Sequence, residues 1–297
     1  MTGVIYRSMT DHSRALPPVD LRQAFGLPPG PVRLADHEPR ATTGFPGDGK
    51  GDAPGVMAAL GADLRYRQQQ LFAQGRRGSN RRVLLVLQGM DTSGKGGVVR
   101  HAAGAIDPQG LSVATFGAPT PEELAHDFLW RVRRRVPAPG IVGVFDRSHY
   151  EDVLVARVHE LVPAAEIERR YDAINDFEAR LAGDGVTIVK VYLHIDRDVQ
   201  RERLLARLDE PTKHWKYDPG DLEDRACWAE FRQAYEAALE RCNTTAGPWF
   251  VVPAGRKWYR NWAVAALLLA HLQELDLSWP AGDFDVEEQR RLLLAEG

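Results

Sequence analysis

Five short runs of mainly apolar residues recur along the chain, and stretches of helix length separate most of them. The first, Val83–Leu87, is five aliphatic side chains in succession, which is typical of a strand buried on both faces of a parallel sheet. Similar runs follow at Ser112–Phe116, Ile141–Phe145, Val186–Ile195 and Phe250–Val252. Because strand and helix alternate, the pattern predicts an α/β three-layer sandwich, with a five-stranded parallel sheet and helices on both faces.

Helices are predicted where apolar and polar residues mix over a sufficient length: Val56–Ala73, Glu122–Arg135, Ala164–Ala182 and Leu222–Arg241. The region before them is different, since eight prolines lie between residues 15 and 55 and resist both helix and strand. The sequence therefore predicts an N-terminal arm over 1–55, either disordered or extended along the body. A single domain over 56–280 and a C-terminal tail over 281–297 complete the organisation.

Composition excludes several classes of protein. The chain has 297 residues, 44% of them hydrophobic and 27% charged, and a formal net charge of −3. No global positive field marks it as a binder of nucleic acid or anionic membranes, so any anion site is local. The apolar run Ala263–Ala270 is less than half of the roughly 20 residues that a membrane span needs. Residues 1–19 lack the apolar core of a signal peptide, so we expect a cytoplasmic protein.

Cysteine and histidine patterns give no metal site or catalytic triad. Cys227 and Cys242 fall in one predicted helix, where about 22 Å would separate them, so we expect buried free thiols rather than a disulfide. The motifs C-x-x-C, H-E-x-x-H and G-x-S-x-G do not occur, which disfavours a zinc protease or an α/β-hydrolase.

The strongest motif follows the first predicted strand. Residues 89–97 read GMDTSGKGG and match the phosphate-binding loop (P-loop) pattern G-x-x-x-x-G-K between a strand and a helix. Glycines allow positive φ and turn backbone N–H groups inward, and Lys95 is placed to reach a transferable phosphate. The sequence thus predicts phosphate binding by Lys95 and by four glycines: Gly89, Gly94, Gly96 and Gly97.

Two aspartates are candidate magnesium ligands. Gly96 stands where a P-loop normally has a Ser or Thr hydroxyl for the metal, so other ligands are needed. Asp91 is an acid inside an anion-binding loop, and Asp146 closes the third strand at the same edge of the sheet. We assign both to magnesium; the alternative for Asp91 is a turn or helix cap. Arg147 is predicted to clamp a phosphate, or to pair with a neighbouring carboxylate.

A mobile cover is predicted downstream. Arg203 and Arg207 share one face of a predicted helix by their i,i+4 spacing, and the segment 208–222 carries Lys213 and Lys216 between prolines and glycines. Such a segment suits a lid that closes over phosphates. The alternative is an ordinary solvated loop.

Several longer motifs resemble one family. They are Leu87–Asp91, Glu123–Arg131, Asp146–Leu154, Trp215–Lys216 and Arg256–Asn261, and they span about 44–275. The chain resembles the type 2 polyphosphate kinases, and most resembles the subgroup that acts on both AMP and ADP. Two positions depart from that subgroup, which often has Asn at 146 and an acid at 96.

The resemblance implies a Mg²⁺-dependent phosphotransferase, with Mn²⁺ as the alternative ion, in which Asp91, Lys95, Asp146 and Arg147 are catalytic. Its substrates would be inorganic polyphosphate and adenine nucleotides, with guanine nucleotides as the alternative, and its reaction would be reversible. A homo-oligomer, dimer or tetramer, is expected, and neither nucleic acid nor membrane is. Two rival functions are an ATP-dependent nucleoside monophosphate kinase of the thymidylate kinase type and a non-catalytic nucleotide switch. The rival kinase would normally have Ser or Thr after the loop lysine, and the switch a base-reading N-K-x-D motif.

Overall fold

The computed structural model describes residues 19–296. Its core is one sheet of five parallel strands in the order β2-β3-β1-β4-β5, which confirms the predicted fold class. The strands are β1 (Arg82–Gln88), β2 (Leu111–Thr115), β3 (Val142–Asp146), β4 (Val186–His194) and β5 (Trp249–Pro253).

The described residues form these α-helices, in chain order: α1 (Leu21–Phe25), α2 (Ala53–Arg76), α3 (Lys95–His101), α4 (Pro121–Leu124), α5 (Trp130–Arg133), α6 (Glu151–Val158), α7 (Ala164–Gly183), α8 (Arg197–Leu208), α9 (Gly220–Ala226), α10 (Trp228–Arg241), α11 (Lys257–Glu274) and α12 (Val286–Ala295). Short 3-10 helices cover Leu34–Asp36, Ala103–Ala105, Pro108–Gly110 and Pro211–Lys216.

Helices cover both faces of the sheet, and adjacent residues of β5 show how. Side chains of a strand alternate between faces. Trp249 packs edge-on against Tyr150, on the side of α6, α7 and α10. Phe250 contacts His271 of α11, on the side of α2 and α3. The strands between these layers are almost wholly buried, except β2, which lies at the sheet edge and exposes Val113.

Residues 19–55 lie along the body. Leu21 and Phe25 of α1 are buried, and Gly26 forms an antiparallel bridge with Phe250 of β5. His37 contributes a carbonyl that accepts a hydrogen bond from the buried His194. The remainder of the predicted arm, residues 1–18, lies outside the described residues.

Two predicted helices are interrupted. The stretch 122–135 forms α4 and α5 instead of one helix, because Asp127 accepts a hydrogen bond from the backbone of Leu129 and starts a new turn. The stretch 222–241 is divided between α9 and α10 at Cys227, which is half-buried rather than buried. Cys242 is buried, and both thiols are free as expected.

Within residues 19–296, no helix combines the length and the apolar character that a membrane crossing requires. The last helix, α12, buries none of its side chains.

Candidate phosphate-binding site

The P-loop connects β1 to α3 through a tightly folded backbone. Gly89 and Gly94 have φ of 149° and 105°, and Thr92 has φ of 67°, all in the region that favours glycine. Lys95 opens α3, and its Nζ donates a hydrogen bond to the Gly89 carbonyl at 2.7 Å. Burial lowers the pKa of Lys95, while the nearby Asp91 carboxylate opposes that change. The predicted strand-loop-helix context is therefore present.

The loop glycines make room for an arginine from α11. A side chain on Gly94 or Gly97 would overlap the guanidinium of Arg260. A methyl group on Gly89 would lie only 2.7 Å from the Leu193 carbonyl oxygen. Gly96 is different, since its nearest neighbour would be Asp146 Oδ2 at an ordinary 3.9 Å. Gly89 and Gly94, which also have positive φ, are thus required by the protein itself, whereas the overlap at Gly97 is with the end of the Arg260 side chain alone.

Arg260 was not among the predicted site residues. Its Nη1 donates to the Ser93 carbonyl at 3.1 Å and its Nη2 to Asn261 Oδ1 at 2.8 Å, and it forms no ion pair within residues 19–296. Burial, together with the nearby charge of Arg203, lowers the pKa of Arg260 to about 9. A buried cation without a carboxylate partner is suited to bind an anionic ligand. Its only sequence signal was the family motif at Arg256–Asn261.

Arg203 braces the loop from α8. It donates to the carbonyls of Thr92 (2.8 Å) and Ser93 (3.0 Å), and on its other nitrogen to those of Ala254 and Gly255. Four of its five N–H groups are used in this way. Backbone carbonyls thus hold the Arg203 guanidinium in place, and its predicted contact with a phosphate stays a prediction.

The remaining predicted lid cations lie at the rim. Arg207 pairs with Asp221 at 2.9 Å and donates to the Lys216 carbonyl at 3.0 Å. Lys213 and Lys216 belong to the exposed 3-10 helix Pro211–Lys216, where Lys216 stands 4.9 Å from the centre of the Trp215 ring. This ring is 77% exposed. The predicted lid segment thus contains a short exposed 3-10 helix at the rim of the site, and its closing motion stays a prediction.

These elements enclose a cavity of about 870 Å³. Two carboxylates, Asp91 and Asp146, line it, against nine arginines and lysines. The cations are Lys95, Arg100, Arg147, Arg203, Arg207, Lys213, Lys216, Lys257 and Arg260. Burial and the surrounding positive charges lower the pKa of Lys257. The cavity is therefore strongly positive although the whole chain has a net charge of −3. This is the kind of local anion site that the sequence predicted.

Asp91 and Arg147 form an ion pair at one end of this cavity. Asp91 Oδ1 lies 3.0 Å from Arg147 Nη2, so Arg147 pairs with the loop acid and not with Glu151 or Asp152. Arg147 has φ of 64°, an uncommon left-handed conformation for this residue type. Asp146, directly before it, ends β3 opposite Leu87 of β1.

Glu151 is a second residue that sequence reasoning did not single out. Burial raises its pKa, and although Arg147 and Lys95 act against that effect, the rise prevails. With its nitrogen turned toward Glu151, the Gln88 amide donates to Glu151 Oε1 at 3.0 Å and accepts from Ser148 Oγ at 3.0 Å. Gln88 ends β1, so the strand that leads into the P-loop also holds Glu151.

A smaller cleft of about 40 Å³ lies on the other side of the Asp91–Arg147 pair. Asp91, Lys95 and Arg147 line both spaces. The cleft is completed by Glu151, Asp224 and the aromatic residues Phe231 and Tyr235. Asp91, Lys95 and Arg147 therefore lie between the large cavity and the small cleft, where they are placed to contact a ligand in either space.

The donor set suits magnesium bound mainly through its substrate. Residues 19–296 contain no cluster of three or more His, Cys, Asp or Glu side chains that could hold a metal by themselves. Mg²⁺ commonly takes one or two carboxylates and completes its octahedron with water and phosphate oxygens. Asp91 and Asp146, together at the cavity wall, match that requirement.

Comparison with known proteins agrees with this geometry. The family model for polyphosphate kinase 2 matches residues 58–278. The AMP/ADP-polyphosphate phosphotransferase of Meiothermus ruber is 46% identical over 85% of this chain and 93% of its own length. The ADP-polyphosphate phosphotransferase of Rhodopseudomonas palustris is 42% identical over 72% of this chain and 76% of its own.

Solved structures give the same result. The crystal structure of polyphosphate kinase 2 from Arthrobacter aurescens superimposes with a TM-score of 0.91 at 51% identity, over 94% of this chain and 98% of that one. The resemblance read from the motifs is thereby confirmed, and the chain belongs to the polyphosphate kinase 2 family.

Proposed function

We propose that this protein transfers the terminal phosphoryl group of inorganic polyphosphate to AMP and to ADP, with Mg²⁺, in a reversible reaction. The observation that carries the proposal is the cavity with nine cations and two carboxylates beside the P-loop. Such a space neutralises a chain of several phosphates, whereas a single terminal phosphate needs far fewer positive charges. The name of the Meiothermus ruber relative supports both acceptors.

The residues divide the work between binding and neutralisation. The acceptor oxygen is already an ionised phosphate oxygen, so no general base is required, and positioning with charge neutralisation supplies the catalysis. This oxygen forms a bond to the terminal phosphorus as the bond from phosphorus to the bridging oxygen of polyphosphate breaks. Lys95 and Arg147 neutralise the transferred group, and Arg260 and Lys257 hold the donor chain.

Asp91 and Asp146 would hold Mg²⁺, with Mn²⁺ as the alternative ion. The metal would screen charge between donor and acceptor phosphates. Asp91 would then serve the metal instead of Arg147, with which its carboxylate pairs in the structure. Arg147 would in turn be free to contact a phosphate.

The two rival functions are less well supported. An ATP-dependent nucleoside monophosphate kinase of the thymidylate kinase type normally has a hydroxyl at the position of Gly96. A nucleotide switch would read a base, and the sequence has no N-K-x-D motif.

The deciding experiment supplies one donor at a time. The purified protein is incubated with magnesium, AMP or ADP, and either long-chain polyphosphate or ATP, and products are resolved by chromatography. We expect AMP to yield ADP and then ATP with polyphosphate alone. In the reverse direction, ATP with a short polyphosphate as acceptor should yield ADP and a polyphosphate longer by one phosphate. Phosphorylation of AMP by ATP but not by polyphosphate would refute the proposal.

The same preparation tests the finer proposals. Replacing adenine with guanine nucleotides measures base preference. We further propose a homo-oligomer, dimer or tetramer, which sedimentation would reveal as a mass of two or four chains.

A further inference from the structure

Four polar side chains form a hydrogen-bonded network that is buried behind residues 147–151, the segment after β3. They are His149, Tyr150, Glu178 and Lys190. One oxygen of Glu178, on α7, accepts hydrogen bonds from His149 Nε2 (3.2 Å) and from the Tyr150 hydroxyl (2.8 Å). Lys190 Nζ, on β4, donates to the other oxygen at 2.6 Å. It also donates to the Tyr150 hydroxyl (2.8 Å) and to the Cys242 carbonyl (2.6 Å). None of these four side chains is more than 1% exposed.

The network leaves no donor of Lys190 unused. An ammonium group has three N–H bonds, and each of them has an acceptor here. Burial acts to raise the pKa of Glu178, but Lys190 and His149 outweigh it and hold that pKa below its ordinary value. Glu178 is therefore ionised at neutral pH.

Stability alone is a weak reason for such a pair. Removing two charges from water costs about as much as their attraction returns, and apolar side chains of similar volume often stabilise a core equally well. The position of the network suggests another role. His149 and Tyr150 lie in sequence between Arg147 and Glu151, which line the site. The hydrogen bonds of Glu178 therefore fix the middle of residues 147–151.

These hydrogen bonds lie close in sequence to Arg147, whose backbone conformation is strained. The left-handed conformation of Arg147, with φ of 64°, persists only where the surrounding structure fixes it. Resting on the proposed phosphoryl transfer, we propose that Glu178 and Lys190 are positioning residues. They hold His149 and Tyr150, and through them they set the direction in which Arg147 and Glu151 enter the site.

The kinetic test compares Glu178→Gln and Tyr150→Phe with a matched control. Tyr150→Phe keeps the ring against Trp249 and removes only the hydroxyl. The control Ile174→Ala removes a fully buried side chain from α7, one turn from Glu178 and outside the network. We expect Glu178→Gln to lower kcat between tenfold and a hundredfold, since small misplacements of reacting groups have effects of that order. KM for both substrates should change less than threefold.

A second measurement does not depend on turnover. Hydrogen exchange by mass spectrometry follows the peptide that spans residues 146–153 at a temperature where every variant is folded. We expect faster exchange in Glu178→Gln and Tyr150→Phe, and wild-type exchange of this peptide in Ile174→Ala even if its melting temperature falls as far.

Two outcomes would overturn the positioning role. One is wild-type exchange of this peptide in Glu178→Gln. The other is a loss of kcat in Ile174→Ala equal to that in Glu178→Gln at matched melting temperature, which would show a general effect of stability. If the wild-type protein lacks turnover with polyphosphate, the proposed function fails, and the exchange experiment still decides whether the network holds the segment.

Discussion

Replacing Arg260 with methionine should stabilise the ligand-free protein and weaken its hold on polyphosphate. The pKa of Arg260 is about 9, well below the ordinary value of an arginine. Each tenfold change in proton affinity corresponds to about 1.4 kcal/mol, so keeping this buried guanidinium charged costs the fold on the order of 5 kcal/mol. Methionine fills a similar volume without the charge, and the Ser93 carbonyl keeps its hydrogen bond from Arg203.

Part of that gain is lost with the hydrogen bonds of Arg260 to Ser93 and Asn261. A net gain of half the cost would raise the melting temperature by roughly 5 °C, at about 2 °C per kcal/mol for a chain of this size. The lowered pKa of Arg260 also sets how the stability difference changes with pH. The charged form destabilises the fold at neutral pH, and this penalty fades as pH rises through 9, so the difference between variant and wild type should shrink there.

The assay combines melting with kinetics. Melting curves of Arg260→Met, wild type and the control Arg256→Met, an exposed arginine at the start of the same helix, are recorded with and without tripolyphosphate. We expect the variant to melt higher without the anion, to gain less from it, and to show a KM for polyphosphate raised at least tenfold. A variant that melts lower than wild type with an unchanged KM would show that Arg260 only supports the loop.

Three other predictions concern the loop and the lid. Asp91→Asn should fold and bind nucleotide yet lose turnover on the order of 10³-fold, measured across a magnesium titration; near-normal turnover at ordinary magnesium would place the metal elsewhere. The double variant Lys213→Ala, Lys216→Ala should raise KM for polyphosphate with little change in melting temperature, and unchanged kinetics for both substrates would contradict the lid. Gly94→Ala should abolish activity and lower the melting temperature, because its methyl group overlaps the guanidinium of Arg260. A methyl group on Gly96 would make only an ordinary contact with Asp146, so Gly96→Ala should keep activity and melting temperature closer to wild type, and equal losses in the two variants would contradict this account.

The fold was predictable because its signal is local. Val83–Leu87 is apolar at every position, as a strand covered on both faces must be, and the glycines that follow identify the turn into a helix. The failures came where a single side chain changed the local backbone. Asp127 divides a stretch with helical composition by accepting a backbone hydrogen bond, and composition over a window does not register one such contact.

The site was predictable only as far as motifs reach. Asp91, Lys95 and Asp146 follow strands whose carboxyl ends must meet, so their convergence follows from the topology. Arg260 lies 165 positions beyond Lys95, and no periodicity relates the two. Arg203 was predicted to bind phosphate because it shares a helix face with Arg207, and it does line the cavity. Its spacing on the helix could not show that backbone carbonyls hold its guanidinium.

The bracing of the loop by Arg203 also limits how the protein can move. Arg203 fastens the second turn of α8 to the P-loop and to the residues after β5, so the start of this helix travels with the sheet as one rigid body. Any closing motion must pivot beyond this point, within the last turn of α8. In such a motion Arg207, in that last turn, would shift little, and Lys213 and Lys216 would move farthest. The proposed lid would thus leave Arg203 and Arg260 in place and bring Lys213 and Lys216 to a phosphate chain that is already bound.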